Sequence, residues 1–208
     1  LHGVLARAES GIVMQTPYLI LSKPARQLIR ELRRQHPGLS IRISTNSFAS
    51  TDNLMAYSAN YRLRNDYIED LKLEIHEFMP RPATLGEYFP KHASLAELAQ
   101  ARAGGEKVPE PFLCVHAKSL VVDDRVAFIG SYNLDPRSEN LNTEVGLLIE
   151  DARFARELRE EIERDMRPEN AWVIGLRSLP LGMQTVNGLL DDFLSLAPVD
   201  AWPIQNTS

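Results

Sequence analysis

Strand-like and helix-like segments alternate along this chain, and the alternation is the feature that most limits its fold. An apolar run at 11–16 predicts a strand, and apolar residues at helical spacing predict a helix over 23–35. Strands are predicted again at 39–45 and 72–78, on either side of a helical pattern that covers 53–71. This order predicts an α/β fold in which helices flank both faces of a mixed, mostly parallel sheet.

The pattern continues with strands predicted at 126–130 and 144–150 and a helix at 151–166. A chain of 208 residues with 44% hydrophobic content is large enough for one good core. We therefore expect a single domain over 1–208. Because the sequence enters a helical pattern directly at Leu1, we also expect it to be a piece of a longer protein.

Two regions break the alternation. Residues 80–111 hold five prolines around an alanine-rich helix, whose start is predicted from the capping-box spacing of Ser94 and Glu97. We predict that this region is an insertion projecting from the layers, and it either shapes access to a site or is a surface excursion without function. The tail over 167–208 has weak periodicity. It is predicted to pack on the domain rather than on a membrane, because its charge is acidic.

Composition excludes several classes of protein. The net charge of −5 argues against a nucleic-acid-binding surface over the whole molecule. Cys114 is the only cysteine, so no intrachain disulfide or cysteine-rich zinc site can form. It lies in an apolar run and is predicted to be a buried, inert thiol. No apolar run reaches the length of a membrane span.

The stretch CVHAKSLVVDDRVAFIGSYNLD, residues 114–135, carries the most chemical information. His116 and Lys118 interrupt an apolar run that predicts a strand, where residues two apart point to the same face. After the turn at 123–124, the next strand ends in small polar residues. A nucleophilic nitrogen, a cation and neutral donors are thus brought together. That combination suits a phosphate diester, whereas acyl transfer would call for an activated Ser or Cys.

These residues match the pattern H-x-K-x(4)-D-x(6)-G-S-x-N at every specified position: His116, Lys118, Asp123, Gly130, Ser131 and Asn133. The chain therefore resembles the phospholipase D superfamily. The segments TPYLI (16–20) and STNSFASTDN (44–53) are similar to the bacterial cardiolipin synthase branch. The resemblance implies a layered α/β domain of the phospholipase D type.

The resemblance also implies roles for the matched side chains. His116 would attack phosphorus to form a phosphohistidine or would protonate the leaving alcohol. Lys118 and Asn133 would bind the phosphoryl oxygens, with a hydrogen bond from Ser131 nearby. Glu144 would accept the other imidazole N–H and so set the tautomer. Neither a metal nor a cofactor is expected, because lysine and amide donors replace a metal.

Other positions have weaker assignments. Asp123 belongs to the family pattern, but capping of the turn and ion pairing are expected for it rather than direct chemistry. Tyr18, Asn46 and Ser47 are candidates for the rim of the pocket. For each of them a role in turning or capping a loop remains an alternative.

In the family, two such motifs face one another, and this sequence contains a single copy. The chain is therefore predicted to be the C-terminal half of a two-motif enzyme, or else to pair with itself across a two-fold axis. The implied function is that of a phospholipase D-type hydrolase or phosphatidyl transferase like cardiolipin synthase. Its expected partners are a phospholipid substrate, the membrane surface, and the upstream half or a homodimer mate, with no nucleic acid.

The implied location is peripheral, on the cytoplasmic side of a bacterial cell membrane. Two alternatives remain open. One is a single-motif dimeric nuclease of the same superfamily, which would need a basic groove. The other is an inactive binding module, against which the intact His, Lys, Asn and Glu set argues.

Overall fold

A seven-stranded mixed sheet lies at the centre of the structure, a computed structural model that describes residues 1–104, 106 and 112–175. The strands of this part of the chain are β1 (Gly11–Gln15), β2 (Ser40–Asn46), β3 (Glu74–Phe78), β4 (Ser119–Val122), β5 (Val126–Gly130), β6 (Gly146–Ile149) and β7 (Ala171–Val173). Their order across the sheet is β6-β5-β4-β1-β2-β3-β7. The mixed α/β class that the sequence predicts is confirmed.

The predicted strand direction is wrong. Only the pairs β1–β2 and β2–β3 are parallel, whereas β1–β4, β4–β5, β5–β6 and β3–β7 are antiparallel. The sheet is therefore mostly antiparallel among the described strands. For β4 and β5 the cause is local, because a tight turn joins them and leaves no room for the crossover that a parallel pair needs.

That turn has an unusual backbone. Asp123 and Asp124 both have positive φ values, 51° and 53°. Aspartate tolerates this left-handed conformation better than most residues, and two successive positive φ values match the right-handed twist of a hairpin.

Helices surround the sheet. In the described residues they are α1 (His2–Leu5), α2 (Lys23–Gln35), α3 (Leu54–Arg62), α4 (Leu85–Tyr88), α5 (His92–Arg102), α6 (Pro136–Asn140) and α7 (Ala152–Asp165). The single helix predicted over 53–71 is in fact α3 followed by a π-helical turn at Asp66–Asp70. None of the described helices is long and apolar enough to cross a membrane.

The core has two parts, one on each face of the sheet. On one face, Ile12 and Met14 of β1 share a buried cluster with Ile29 and Leu32 of α2. On the other face, Val13 of β1 packs in a separate cluster that includes residues of α7. Alternate residues of one strand thus serve both layers, and helices flank both faces as predicted.

The regions predicted as insertion and tail are described only in part. Helices α4 and α5 lie in the predicted insertion, and the Tyr88 hydroxyl of α4 donates to Asp165 of α7 at 2.8 Å. The capping-box prediction is wrong, because α5 begins at His92 and encloses Ser94. Within the predicted tail, β7 adds an edge strand that the sequence did not indicate. Residues 105, 107–111 and 176–208 lie outside the described part.

Candidate active site

His116 and Lys118 lie directly before β4 rather than within it. Residues 112–118 have no strand assignment, and β4 begins at Ser119. The two side chains nevertheless meet, because the Lys118 ammonium lies 3.0 Å from the Nδ1 atom of His116. It also donates to the carbonyl oxygen of His116 at 2.7 Å. An ammonium group can only donate, so Nδ1 is the acceptor in this arrangement.

The charge of Lys118 is held in a partly desolvated place. Burial lowers the pKa of its ammonium group, while the carboxylates of Asp52, Glu144 and Asp135 act in the opposite direction. The hydrogen-bond partners of this half-buried cation are two neutral groups of His116, and an anionic oxygen would be a stronger acceptor than either of them.

The second part of the motif, residues 130–133, begins at the end of β5 and lies next to Lys118, whose carbonyl oxygen accepts from the Gly130 amide at 3.1 Å. The Ser131 hydroxyl donates to Glu144 and accepts from the Val145 amide at 3.0 Å. The Oδ1 atom of Asn133 is buried and has no hydrogen-bond partner in the described part of the chain. An unsatisfied buried amide oxygen is costly unless a ligand or solvent satisfies it.

Glu144 precedes β6 and interacts with the loop rather than with the histidine. Burial alone would raise the pKa of its carboxyl group, but hydrogen bonds from neighbouring side chains, Ser131 first among them, lower it. The side chain of Asn142 also donates to it, at 3.1 Å. The structure shows no hydrogen bond between Glu144 and His116, so the orienting role stays a prediction.

The segment 16–20 lies against this loop. Leu19 and Leu134 form an isolated parallel bridge, and the Ile20 amide donates to the Leu134 carbonyl oxygen at 2.7 Å. The Tyr18 hydroxyl lies 3.1 Å from both carboxylate oxygens of Asp52. Burial, reinforced by Asp52, raises the pKa of Tyr18 to about 12. Tyr18 is therefore a neutral hydrogen-bond donor at neutral pH.

Asn46 and Ser47 do not line a rim, because both are buried, with exposed fractions of 2% and 1%. The Asn46 amide bonds to the backbone of Val115, and the Ser47 hydroxyl lies 3.0 Å from that of Ser50. Ser50 in turn donates to the carbonyl oxygen of Phe78. Their polar atoms thus stabilise the loop after β2.

Asp123 has structural contacts, but they reach a distant segment instead of capping its own turn. Its carboxylate accepts hydrogen bonds from the backbone amides of Glu9, Ser10 and Gly11 at 2.8 to 2.9 Å. Burial raises its pKa, but these donors outweigh burial and lower the pKa below its ordinary value. The family's aspartate therefore joins the β4–β5 turn to the start of β1.

Two features of the site were not foreseen. Cys114 is exposed, so the prediction of a buried thiol is wrong, although burial of part of the group still raises its pKa. Asp52 was not singled out, yet it contacts Tyr18 and is the carboxylate with the largest effect on Lys118. Its position within the segment 44–53 was the available signal.

No group of three or more His, Cys, Asp or Glu side chains in the described residues is arranged to hold a metal ion. What the site does offer is an exposed imidazole, a lysine and the Asn133 amide near one strand end. The ammonium and an amide N–H can donate to an anionic phosphoryl oxygen, while the imidazole presents a nucleophilic nitrogen to the phosphorus atom.

Sequence comparisons agree with this geometry. Residues 1–166 match the family described as "Cardiolipin synthase, PLD-like domain". Cardiolipin synthase C of Escherichia coli is 31% identical over 130 residues, which are 62% of this chain and 24% of that protein. The minor cardiolipin synthase ClsB of Bacillus subtilis is 28% identical over 163 residues, which are 78% of this chain and 32% of that protein. The chain thus spans about a quarter to a third of the length of these relatives.

Solved structures share the fold. The phospholipase D family member Nuc from Salmonella typhimurium has a TM-score of 0.52 at 14% identity, with 82% of this chain and 87% of that chain covered. The phosphatidylserine synthase of Haemophilus influenzae has a TM-score of 0.58 at 18% identity, with 94% and 41% covered. With the family match over residues 1–166, this shows that the chain belongs to the phospholipase D superfamily, in its cardiolipin synthase-like family.

Proposed function

We propose that this chain supplies one catalytic half of a phospholipid phosphodiesterase or phosphatidyl transferase that works through a phosphohistidine. The observation that carries the proposal is the contact between Lys118 and the His116 ring, directly before β4. A cation touching an exposed imidazole places an anionic substrate oxygen beside the nucleophile. The buried amide oxygen of Asn133, which lacks a partner in the described residues, is an acceptor, so it suits a hydroxyl group of the substrate rather than a phosphoryl oxygen.

The proposed reaction has two displacement steps. The unprotonated imidazole nitrogen of His116 attacks phosphorus, and the bond from phosphorus to the leaving alcohol breaks as that oxygen takes a proton from an acid. An acceptor alcohol or water then attacks the phosphohistidine, gives its proton to the same group, and releases His116. An alcohol acceptor gives transfer, and water gives hydrolysis.

Lys118 has a specific part in the first step. Its ammonium now bonds to Nδ1 and to the carbonyl oxygen of His116, so it lies on the histidine rather than at a phosphate. A phosphoryl oxygen offers a charged acceptor, which forms a stronger bond than a neutral ring nitrogen. Substrate binding would therefore move the Lys118 ammonium from Nδ1 to the phosphoryl oxygen. Nδ1 could then carry a proton, and a carboxylate such as that of Glu144 would accept the hydrogen bond from this N–H.

The acid is proposed to come from a second copy of the motif. The chain contains one H-x-K sequence, and one histidine cannot act on both sides of phosphorus at once. The second copy would belong to another part of a longer protein or to a second chain. Such an enzyme would bind peripherally to a membrane, on the cytoplasmic side of a bacterial cell.

A nuclease is the second candidate, and one observation favours it. Nuc, whose fold this chain shares, is covered over 87% of its length, so a chain of this size can correspond to nearly a whole protein of the superfamily. Against a nuclease stands the net charge of −5, since binding of a nucleic-acid backbone needs a basic surface.

The test uses the full-length protein with vesicles that contain phosphatidylglycerol and phosphatidylethanolamine, and separately with single-stranded DNA. We expect lipid turnover, a trapped phosphohistidine, and loss of both in His116→Ala.

Lys118→Met should lower kcat by about 100-fold or more, since it removes a charged contact to the transition state. His36→Ala is the matched control, because His36 ends α2 before the start of β2, whereas it is the other end of β2, at Asn46, that contacts the segment of His116. Lipid turnover that persists in His116→Ala would overturn the proposal, and cleavage of DNA alone would support the nuclease.

A further inference from the structure

The segment that carries His116 is held by a side chain rather than by the sheet. Leu113 donates its amide to the Pro80 carbonyl oxygen at 3.0 Å, and the next ladder bond comes only at Lys118, whose carbonyl oxygen accepts from Gly130. Between these points lies Val115. Its amide donates to Oδ1 of Asn46 at 2.7 Å, and its carbonyl oxygen accepts from Nδ2 of Asn46 at 2.9 Å.

The Asn46 amide thus replaces a neighbouring strand at this one residue. Asn46 is the last residue of β2, and its exposed fraction is only 2%. Val115 is 5% exposed, so both hydrogen bonds lie away from solvent. A carboxamide offers one acceptor and one donor side by side, which is what the backbone of an extended residue requires. Rotation of the amide would break both bonds and leave buried groups unpaired.

We propose that Asn46 is a positioning residue for His116. By fixing both backbone groups of Val115, it sets the backbone from which the next residue projects its imidazole towards Lys118. Asn46 is buried and bonds to Val115 rather than to the reacting groups, and its Nδ2 atom makes one longer contact, of 3.5 Å, to the Pro17 carbonyl oxygen. This inference rests on the proposed function, because it assigns His116 to the chemistry.

Two variants of the full-length protein test the inference. Asn46→Ala removes both bonds, and kcat is expected to fall by about 10- to 100-fold with KM within about 3-fold, as for a misplaced nucleophile. Asn46→Asp keeps the acceptor but points a second carboxylate oxygen at the Val115 carbonyl oxygen. Protonation of that carboxyl group restores a donor, so the activity of this variant, relative to wild type, should recover as pH falls from about 8 to about 5.5.

Amide hydrogen exchange provides a readout that does not depend on turnover. Exchange at the Val115 amide should become at least about 10-fold faster in Asn46→Ala, while the central strands keep their protection. Thr45→Val is the matched control. Thr45 is 1% exposed and lies next to Asn46 on β2, but its hydroxyl makes only a 3.5 Å contact to the Pro17 carbonyl oxygen. This control should keep both kcat and the slow exchange of Val115.

The outcomes separate this inference from the proposed function. Unchanged hydrogen exchange at the Val115 amide in Asn46→Ala would show that Asn46 does not hold this segment, whatever the activity of the variant. Faster exchange with unchanged kcat, or an Asn46→Asp variant with the pH profile of wild type, would overturn the positioning role. If wild type turned over no phosphodiester, the proposed function would fail and the positioning role with it, while exchange would still decide whether Asn46 holds the segment.

Discussion

Ser131 is the hydrogen-bond partner of Glu144 in the place where the sequence analysis expected His116. Its hydroxyl donates to Glu144, and its own position follows from β5, which pairs with β4 directly after Lys118. In this structure the Glu144 carboxylate therefore acts on the loop that carries Asn133. A direct bond to His116 would require the imidazole or the carboxylate to move.

A double-mutant cycle distinguishes these two routes. If Glu144 acts through Ser131, Glu144→Gln and Ser131→Ala should each lower kcat by about 10-fold or more, and the double variant should be little worse than either. The measurement is kcat and its pH dependence for all four proteins. A Glu144→Gln variant with an altered pH profile, beside a Ser131→Ala variant that resembles wild type, would instead show direct action on His116.

Asp123 gives a prediction about stability. Its carboxylate accepts three backbone amides and the Ser10 hydroxyl, and its pKa is lowered. Asp123→Asn preserves a residue that tolerates positive φ but replaces one acceptor with a donor, so at neutral pH it should lose about 1–3 kcal/mol of unfolding free energy.

The pH dependence of that loss has a definite sign. A carboxyl group whose pKa is lowered by folding contributes stability above its unfolded pKa, and this contribution disappears as pH falls through the lowered folded pKa. The difference between wild type and Asp123→Asn should therefore shrink below about pH 3.8, the ordinary value for aspartate. Chemical denaturation at several pH values measures it. Asp124→Asn on the same turn is the control, because it loses only a half-exposed ion pair with Arg159.

At the scale of whole elements, strands β5 and β6 approach each other closely at two glycines. A Cβ atom on Gly130 would lie 2.4 Å from the Val145 carbonyl oxygen, and one on Gly146 would lie 2.3 Å from the Phe128 ring. Gly130 is also part of the family pattern. The glycine of that pattern is thus explained by the packing of β5 against β6, and Ser131 and Glu144 lie next to the ends of these two strands.

Gly130→Ala should force these strands apart. We expect a loss of about 1–3 kcal/mol of unfolding free energy from overpacking, with a fall in kcat because Ser131 follows directly. Gly11→Ala is the control, since Gly11 is also in a strand but has no atom within 4 Å of an added Cβ. Thermal unfolding and turnover of both variants provide the measurement. Equal stability of the two variants would contradict the close approach.

Much of this architecture follows from sequence patterns, and the failures have physical causes. The periods of 2 and 3.6 residues placed α2, α7 and most strands, because each of these elements buries one stripe or alternate residues. Strand direction was missed although the Asp123–Asp124 turn was recognised, and a turn that short joins only antiparallel strands. Strand β7 has three residues, too few for a periodic signal.

The residues of the motif could be predicted from the sequence, whereas the contacts that support the site could not. His116 and Lys118 share a face at a spacing of two, and the structure shows them in contact. Asn46 and Asp52 act through contacts with Val115 and Tyr18, which are far from them along the chain. Such long-range pairings depend on how loops pack at the ends of the strands, which no local pattern specifies.

At the scale of the whole molecule, an exposed apolar surface borders the site. It consists of β6 and the loop before it, where Leu141, Val145, Leu147 and Leu148 have exposed fractions of 77%, 76%, 68% and 49%. Strand β6 is also an edge of the sheet. Monomeric proteins seldom leave an apolar edge strand uncovered, and such surfaces commonly mark interfaces. Glu144 lies within this stretch, so a partner that docks here would reach the site.

We therefore expect the second motif to dock on this surface. The 208-residue chain alone should fold but show little or no lipid turnover as a monomer, because it supplies one of the two histidines that in-line exchange needs.

Leu147→Glu should weaken self-association, or activation by a separately supplied half that carries a second motif, by at least about 10-fold. Sedimentation and turnover, measured together over a range of concentrations, provide the readout. Leu54→Glu on α3 is the matched control, since Leu54 is 57% exposed and lies in a different element. Robust phospholipid turnover by a demonstrably monomeric chain would show that one motif suffices.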